Sequence, residues 1–367
     1  MKAIILGGGI AGLTLAARLK QQGGWDITIY ERNELTRAKG HAFLIHPSAA
    51  ALINVMPGVE SPLKNGITIQ QYNLLDTQEK IIFSEKLEDW LCMRRTDLLH
   101  YLLTILKDVN IVYNQQFSHF IENETGYQSA VFTNGEQADA DVFFGCDGVN
   151  SSVRQQLFGD VQFSQVLVKE LVGVVQSEKL AQQYAGQFTK FVHPNKAIAV
   201  GFIPCNHHEL VWYMQFDATL QNGSINTPEL LAQHAFHLAA DFPECVSEIL
   251  KNNSFDSSYV WHSTDFDLLP AFHKKNVVLM GDAAHVALPF TSAGVANALT
   301  DSGIVAAVLQ RNNNNLEAAF SQYYHTRAEE LSNHIKQGRM LQTEFLCHDQ
   351  NKKMVPLIQV LKSTDTI

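Results

Sequence analysis

The stretch MKAIILGGGIAGLTLAARLKQQGGWDITIYER, residues 1–32, decides the fold. Gly7, Gly9 and Gly12 spell G-x-G-x-x-G, and Glu31 follows 19 residues after Gly12. The apolar run Met1–Leu6 predicts a strand, the helical spacing of Leu13–Gln22 a helix, and Asp26–Tyr30 a second strand. In that setting each glycine has its own task. The first permits a tight turn, the second lets backbone approach a pyrophosphate, and the third lets helix pack on strand. The diphosphate then meets a helix N-terminus, with free N–H groups and the positive end of the dipole. Glu31 would accept hydrogen bonds from a ribose, which favours an unphosphorylated adenosine ribose (FAD or NAD) over NADP.

Working outward, 367 residues suffice for two domains or one elaborate one, with a sizeable core. The chain has 27 basic against 37 acidic residues, a net charge of −10, and no basic block. Nucleic acid and anionic membrane surfaces are therefore not expected partners. Five cysteines (Cys92, Cys146, Cys205, Cys245, Cys347) are odd in number and scattered, without C-x-x-C, as reduced thiols would be. Lys2 with the small, apolar run Ala3–Ala17 superficially resembles a signal peptide. Three consecutive glycines at its centre fit a nucleotide fold better, and the run is too short to span a bilayer. The expectation is a cytoplasmic protein.

The first third alternates strand and helix signals, as a parallel sheet with crossovers requires. Within it, Gly66–Tyr72 and Lys80–Ser84 suggest an inserted hairpin, followed by a helix at about Thr96–Lys107. The middle third changes character. Glu170–Val175, Phe188–His193, Ala197–Phe202 and Leu210–Phe216 are β-branched or aromatic, an antiparallel-sheet signature, with helices predicted at Pro228–Asp241 and Pro243–Lys251. An apolar strand returns at Asn276–Met280, then a helix from Gly294 to Gln310. The last helix, from Leu316 to about Leu346 with Asn315 as N-cap, carries a stripe through Phe320, Tyr324, Leu331 and Ile335. The expected fold is α/β: a Rossmann-like nucleotide domain interrupted by an antiparallel-sheet domain, with a long C-terminal helix. Residues 1–65, 94–165 and 265–315 form the first domain, 66–93 and 166–264 the second, and 316–367 the helical segment. That helix can pack on its own domain or on a partner, leaving monomer and homodimer both open.

Two more clusters carry chemistry. Residues 144–154, FGCDGVNSSVR, contain Asp147 and Gly148 in D-G-x-x-S-x-V-R; residues 278–285, VLMGDAAH, contain Gly281 and Asp282 and lead to Pro289. Each follows an apolar strand, so each places an aspartate at the carboxyl edge of a sheet, where α/β folds bind ligands. Asp282 suits the hydroxyls of a ribityl chain. The helix opening at Gly294 and Val295 would aim N–H groups at a ring that gains negative charge on reduction.

With these three motifs the chain resembles the single-component FAD-dependent aromatic hydroxylases of the p-hydroxybenzoate hydroxylase fold, especially the branch of tetracycline-inactivating monooxygenases. The resemblance covers roughly residues 1–345. It implies FAD contacts from Gly7, Gly9, Ala11, Gly12, Glu31 and Arg32, and from Arg95 in R-x-D-L. It also implies them from Asp147 and Gly148, a motif linked to pyridine nucleotide use, and from Gly281, Asp282, Gly294 and Val295. The stretch GHAFLIHP, residues 40–47, resembles the loop that runs along the flavin. One departure stands out: where relatives show G-Q-G-x-N, this chain has SAGVAN at 292–297, which keeps Gly294 in register and displaces Asn297 by one position. One residue turns a helical side chain by about 100°. The W-x-W-x-I-P motif of the flavin halogenases is absent from the sequence.

The resemblance implies a monooxygenase in which NAD(P)H reduces FAD and one atom of O₂ enters a small aromatic or polycyclic substrate. A flavin reductase without oxygen insertion and a non-catalytic FAD-binding protein are the competing readings. Such chemistry belongs to the cofactor, so no nucleophile–base set is required, and no metal is expected. His46, Tyr213 and Pro289 are the expected substrate-pocket residues. Trp212, Met214 and Phe216 alternate with Tyr213 and Gln215, one set facing core and the other the cavity. His285 is expected to be structural, Cys205–His208 a hairpin turn, and Trp261 and His262 core.

Overall fold

The computed structural model describes residues 1–34, 42–56, 61–124, 126–221, 223–313 and 315–347. Its first sheet has six strands in the order β16 (His273–Lys274), β17 (Val277–Leu279), β10 (Val142–Gly145), β1 (Lys2–Leu6), β2 (Asp26–Tyr30) and β6 (Asn110–Val112). All pairings are parallel except β16 with β17. The central strand β1 is apolar on both faces and buried from Ala3 to Leu6, as a strand covered on both sides must be. Helix α1 (Ile10–Gln22) follows it, and α8 (Gly294–Arg311) packs on α1, where Ser302 Oγ donates to the Ala11 carbonyl at 3.1 Å. Three motifs separated by more than a hundred residues thus reach one edge: the ends of β1, β10 and β17 lie side by side.

The second sheet has eight strands: β15 (Tyr259–His262), β11 (Val168–Gln176), β14 (Glu209–Asp217), β13 (Ile198–Pro204), β12 (Gln187–Val192), β4 (Ile67–Asp76), β5 (Ile81–Arg94) and β3 (Ala42–Ile45). It is antiparallel except where β12 meets β4, the seam at which the expected hairpin joins the middle-third strands. Strand β3 pairs with β5, so residues 42–45 leave the nucleotide sheet and complete this one. Its outer face carries α6 (Pro228–Leu238) and α7 (Glu244–Lys251) over a core of Leu171, Phe202, Trp212, Met214 and Phe216. The alternation in β14 is thereby decided: Trp212, Met214 and Phe216 face this core, while Tyr213 and Gln215 face the other way.

A third sheet of β7 (Phe117–Glu122), β8 (Tyr127–Phe132) and β9 (Gln137–Asp139) packs through Phe120 and Phe132 onto β10 and Tyr30. Short helices α2 (Pro47–Asn54), α3 (Arg95–Ile105), α4 (Ser152–Phe158) and α5 (Glu178–Gln183) complete the crossovers. The last helix, α9 (Leu316–Leu346), begins where Asn315 Oδ1 accepts from Ala318 N at 3.2 Å. Its buried stripe runs through Phe320, Tyr323, Leu331 and Ile335, so Tyr323 takes the innermost place and Tyr324 its flank. The helix packs on α8 of its own chain. No helix among the described residues is long and apolar enough to cross a membrane.

Trp212 anchors the second core: its indole N–H donates to Asn253 Oδ1 at 3.1 Å, and the ring lies where a Cβ on Gly173 would be, 2.6 Å from Nε1. Trp212→Ala is expected to cost about 3–5 kcal/mol, read as a lower urea midpoint.

Candidate functional site

The fingerprint divides its labour as the sequence predicts. Gly7 has φ +118, and a Cβ there would lie 2.2 Å from the Cys146 carbonyl oxygen on the neighbouring strand connection. Gly12 lies under Gly7, with a Cβ position 2.1 Å from its carbonyl oxygen, so helix and turn touch backbone to backbone. Gly9 differs. It is the N-cap of α1, carries no capping side chain and has nothing within 4 Å of its Cβ position. Ala11 is buried against Gly281, at 3.0 Å from the Cβ position there. Ala11 and Gly12 therefore fit the motifs together and do not line the cleft.

Beside Gly9 opens a cleft of about 640 Å³ at the carboxyl edge of β1, β2 and β10. Of the predicted cofactor residues, Gly7, Gly9, Glu31, Arg32, Arg95, Asp147 and Gly148 line it. Glu31 is held in place: Oε2 accepts from Gly8 N at 2.8 Å, and Oε1 from Asn33 N at 2.9 Å. Arg95 opens α3, with its guanidinium 5.8 Å over the Phe43 ring and its buried Nε without a hydrogen-bond partner. Burial lowers its pKa, against the pull of Asp282 and Tyr259. Such an orphaned donor in a cleft floored by a bare helix N-terminus suits a diphosphate.

Asp147 is more occupied than its motif suggests. Its carboxylate accepts from Ser151 Oγ at 2.5 Å and from Val153 N at 3.1 Å, closing the start of α4. Burial raises its pKa, with those bonds opposing. The arginine of the same motif, Arg154, has a role the sequence reading did not assign. Buried against Phe266, it donates to the carbonyls of Val149 at 2.7 Å, Ala283 at 3.1 Å and Asp282 at 3.4 Å. It staples the second motif to the third. The Asp282 side chain reaches solvent, yet the protein crowded around its carboxyl strips away water and raises its pKa, against the pull of His285 and Arg95. A carboxylate in that position is a free acceptor for ligand hydroxyls.

Behind the third motif lies a buried charge network that the sequence reading also missed. Asp301 Oδ2 accepts from Gly281 N at 3.0 Å and from His285 Nε2 at 2.7 Å, and Oδ1 accepts from Arg327 Nε at 2.9 Å. Arg327 Nη2 donates to Asn297 Oδ1 at 2.9 Å, and Asn297 Nδ2 lies 3.3 Å from His334 Nδ1. His285 is thus structural. The displaced Asn297 of SAGVAN has turned inward to serve α9. The first turn of α8 keeps its N–H groups free of side-chain caps. Val295 lines a second, smaller cavity of about 50 Å³ with His46, Trp90 and Ala293.

His46 caps α2, accepting from Ser48 N at 3.2 Å, and stands edge-on to Trp90 with ring centroids 4.9 Å apart. Pro289 opens a short turn between Leu288 and Phe290, which pack near the end of α9. Gly294 starts α8, and nothing lies within 4 Å of its Cβ position. Cys205–His208 is a hairpin turn between β13 and β14, and no group of three metal-binding side chains exists among the described residues. One expectation is corrected: Trp261 is 49% exposed, and His262 is exposed too, because β15 is an edge strand with no layer over it. Residues 40 and 41 of the GHAFLIHP stretch lie outside the described residues, as do 348–367.

The family described as FAD binding domain matches residues 1–335. The chain belongs to this family of flavin monooxygenases. Among relatives, 3-amino-4-hydroxybenzoate 2-monooxygenase of Streptomyces cremeus is 24% identical over 373 residues, covering 96% of this chain and 91% of the relative. Among solved structures, Klebsiella pneumoniae HpxO complexed with FAD and uric acid superposes with a TM-score of 0.84 at 20% identity, covering 99% of this chain and 91% of that one. The tetracycline destructase Tet(51) gives 0.75 at 20% identity, covering 100% and 98%. The fold is shared across the described residues of this flavoprotein.

Three predictions follow from the site. Gly9→Val is expected to fold normally yet weaken FAD by more than about 100-fold in equilibrium titration, since only the cleft is filled. Gly12→Ala is expected to lose about 3 kcal/mol or more in urea denaturation, since backbone must move. The third concerns Asp301. Burial disfavours its charge, but His285 and Arg327 outweigh this and hold its pKa well below the ordinary carboxylate range. A depressed folded-state pKa gives stability that is present above about pH 4 and lost as pH falls. At pH 7 Asp301→Asn is expected to be about 3–5 kcal/mol less stable than the natural chain, a gap in urea midpoints that narrows below about pH 4.

Proposed function

We propose that this flavoprotein uses NAD(P)H and O₂ to insert one oxygen atom into a small aromatic or polycyclic substrate held between the two larger sheets. The observation that carries the reading is a cleft lined by the first two motifs and Arg95, with donors and acceptors unspent toward it, beside which Arg154 and Asp301 hold the third motif. Gly9 and Arg95 would hold the diphosphate, Glu31 the adenosine ribose and Asp282 the ribityl hydroxyls. Bound FAD supplies the redox chemistry and the activation of O₂; the protein's tasks are position and exclusion of water.

The eight-stranded sheet is the substrate domain in this reading, and its inner face, with Tyr213, is the wall of the site. His46 and Val295 would border the reactive ring, where the uncapped start of α8 favours negative charge. Pro289 would set the turn that leads into that helix. A relative named for a hydroxybenzoate and a structural neighbour complexed with uric acid support a planar ring as substrate. A single dinucleotide fingerprint means that the nicotinamide donor would bind transiently, without a Rossmann unit of its own.

The test is direct. FAD-loaded protein is reduced anaerobically with NADH and with NADPH, then exposed to ¹⁸O₂ in the presence of hydroxy-aromatic ligands. The expected result is faster flavin bleaching with a ligand present and one labelled oxygen in the product. Hydrogen peroxide as the sole oxygen product for every ligand would favour a reductase. Flavin left oxidised by both donors would favour a binding protein.

A further inference from the structure

The inner face of the eight-stranded sheet carries, beside the apolar cluster of Tyr72, Trp90 and Phe188, a group of polar side chains that the cofactor reading does not use. Strand register aligns them. Trp261, Glu170, Gln215 and Ala199 lie in one row across β15, β11, β14 and β13. Tyr259, Val172, Tyr213, Gly201 and Lys190 lie in the next, across to β12. Directly opposed residues share a face. The face opposite is the Trp212 core, so this row looks inward.

Small residues on β13 make the arrangement possible. A Cβ at Gly201 would lie 2.4 Å from Tyr213 Cζ, so the tyrosine ring lies flat over that strand. Lys190 Nζ stands 5.7 Å from the ring centroid and reaches past it to donate to Gln215 Oε1 at 2.9 Å. The Gln215 side chain in turn bonds Glu170. The two charges do not touch: no ion pair joins them, and a neutral amide spans the gap. Of its three donors the ammonium spends one on Gln215, and the Glu170 carboxylate keeps lone pairs in reserve.

A buried pair placed for stability would close up, because attraction must offset the loss of water around both ions. Holding the pair apart leaves both ions able to bond something else. Tyr259, in the same row as Tyr213, lies within electrostatic reach of both Glu170 and Arg95, and Arg95 lines the dinucleotide cleft.

We propose that Glu170 and Lys190, spanned by Gln215, determine specificity: they form an acceptor and a donor that select a planar ring bearing an N–H beside a C=O, as in a lactam, and reject a ring bearing a carboxylate. The ring N–H donates to Glu170 and the carbonyl accepts from Lys190, with Tyr213, Tyr259 and the half-exposed Trp261 as aromatic walls. A carboxylate offers Glu170 no donor and adds like charge beside it. The inference rests on the reading of this face as the substrate wall.

The ionisable groups sharpen the test. Burial raises the Glu170 pKa to about 7, against the pull of Lys190 and Gln215. Burial lowers the Lys190 pKa to about 8, against the pull of Glu170. Tyr213 and Tyr259 also face Glu170, both with pKa values raised by burial. Both ions are charged together only in the window between about pH 7 and 8.

The experiment titrates FAD-loaded protein with 2-quinolone, 2-naphthol and 2-naphthoate, following flavin absorbance and heat. The natural chain is expected to bind 2-quinolone at least about tenfold more tightly than the other two, with greatest affinity between pH 7 and 8. Glu170→Gln should remove the acidic limb of that profile and admit 2-naphthoate; Lys190→Met should remove the basic limb. The double variant E170Q/K190M, with no charge left to bury, keeps the fold and FAD affinity and should lose the preference altogether. No preference in the natural chain, or an unchanged preference and pH profile in the variants, overturns the inference. Absence of ¹⁸O in any product while these shifts occur would instead strike the oxygen-insertion reading and leave the selecting pair standing.

Discussion

The Asp301 carboxylate, fully buried, is the interaction on which the arrangement depends. It receives the Gly281 amide from the turn after β17, His285 from the end of that turn, and Arg327 from the last helix. One side chain on α8 therefore fixes the turn that presents Asp282, the helix that begins at Gly294, and the helix that closes the fold. Its charge is affordable only because each oxygen has a donor; removing one partner would leave an ion in a medium that cannot solvate it. That explains why the last helix belongs to the site although none of its residues was expected there.

Arg154 supplies a second staple. Arg154 takes three carbonyls from two loops, and cation–π contact with Phe266 and Phe163 shields its guanidinium from water. Together the two networks hold loops, which are ordinarily the most mobile parts of a fold, in a fixed relation around the dinucleotide cleft. The site can then leave its own polar groups unspent. Gly9 offers a bare helix start, Arg95 an unpartnered Nε and Asp282 an exposed carboxylate. Rigid support behind and unsatisfied groups in front is the pattern of a preorganised ligand site.

The two larger sheets divide the work. The six-stranded sheet presents strand ends, where backbone amides and helix dipoles suit phosphates and a charged ring. The eight-stranded sheet presents a face, where side chains from five strands make a surface that can vary without disturbing backbone pairing. Its outer face is an ordinary apolar core under α6 and α7. Its inner face carries tyrosines, a glutamate and a lysine that are partly or wholly withdrawn from water.

Local physics was enough for much of this. Three glycines, an acid about twenty residues on, and apolar runs between them fix a strand–turn–helix–strand unit, because backbone approach and positive φ admit no other residue at Gly7. The start of the last helix at Leu316 was legible for the same reason, through the capping asparagine before it. Contacts between distant segments were not legible. Trp261 lies on the surface because no layer happens to cover edge strand β15, and Tyr323 displaces Tyr324 inward because α9 is rotated by its bonds to α8. The pairings of Arg154 with the third motif, of Asn297 with α9, and of Lys190 with Gln215 join residues 25 to 129 positions apart. The sequence by itself determined which turns could exist and what a dinucleotide would find there. Only the tertiary structure decided which charges meet, because a long-range ion pair depends on the packing angles of whole elements, and no local spacing encodes those.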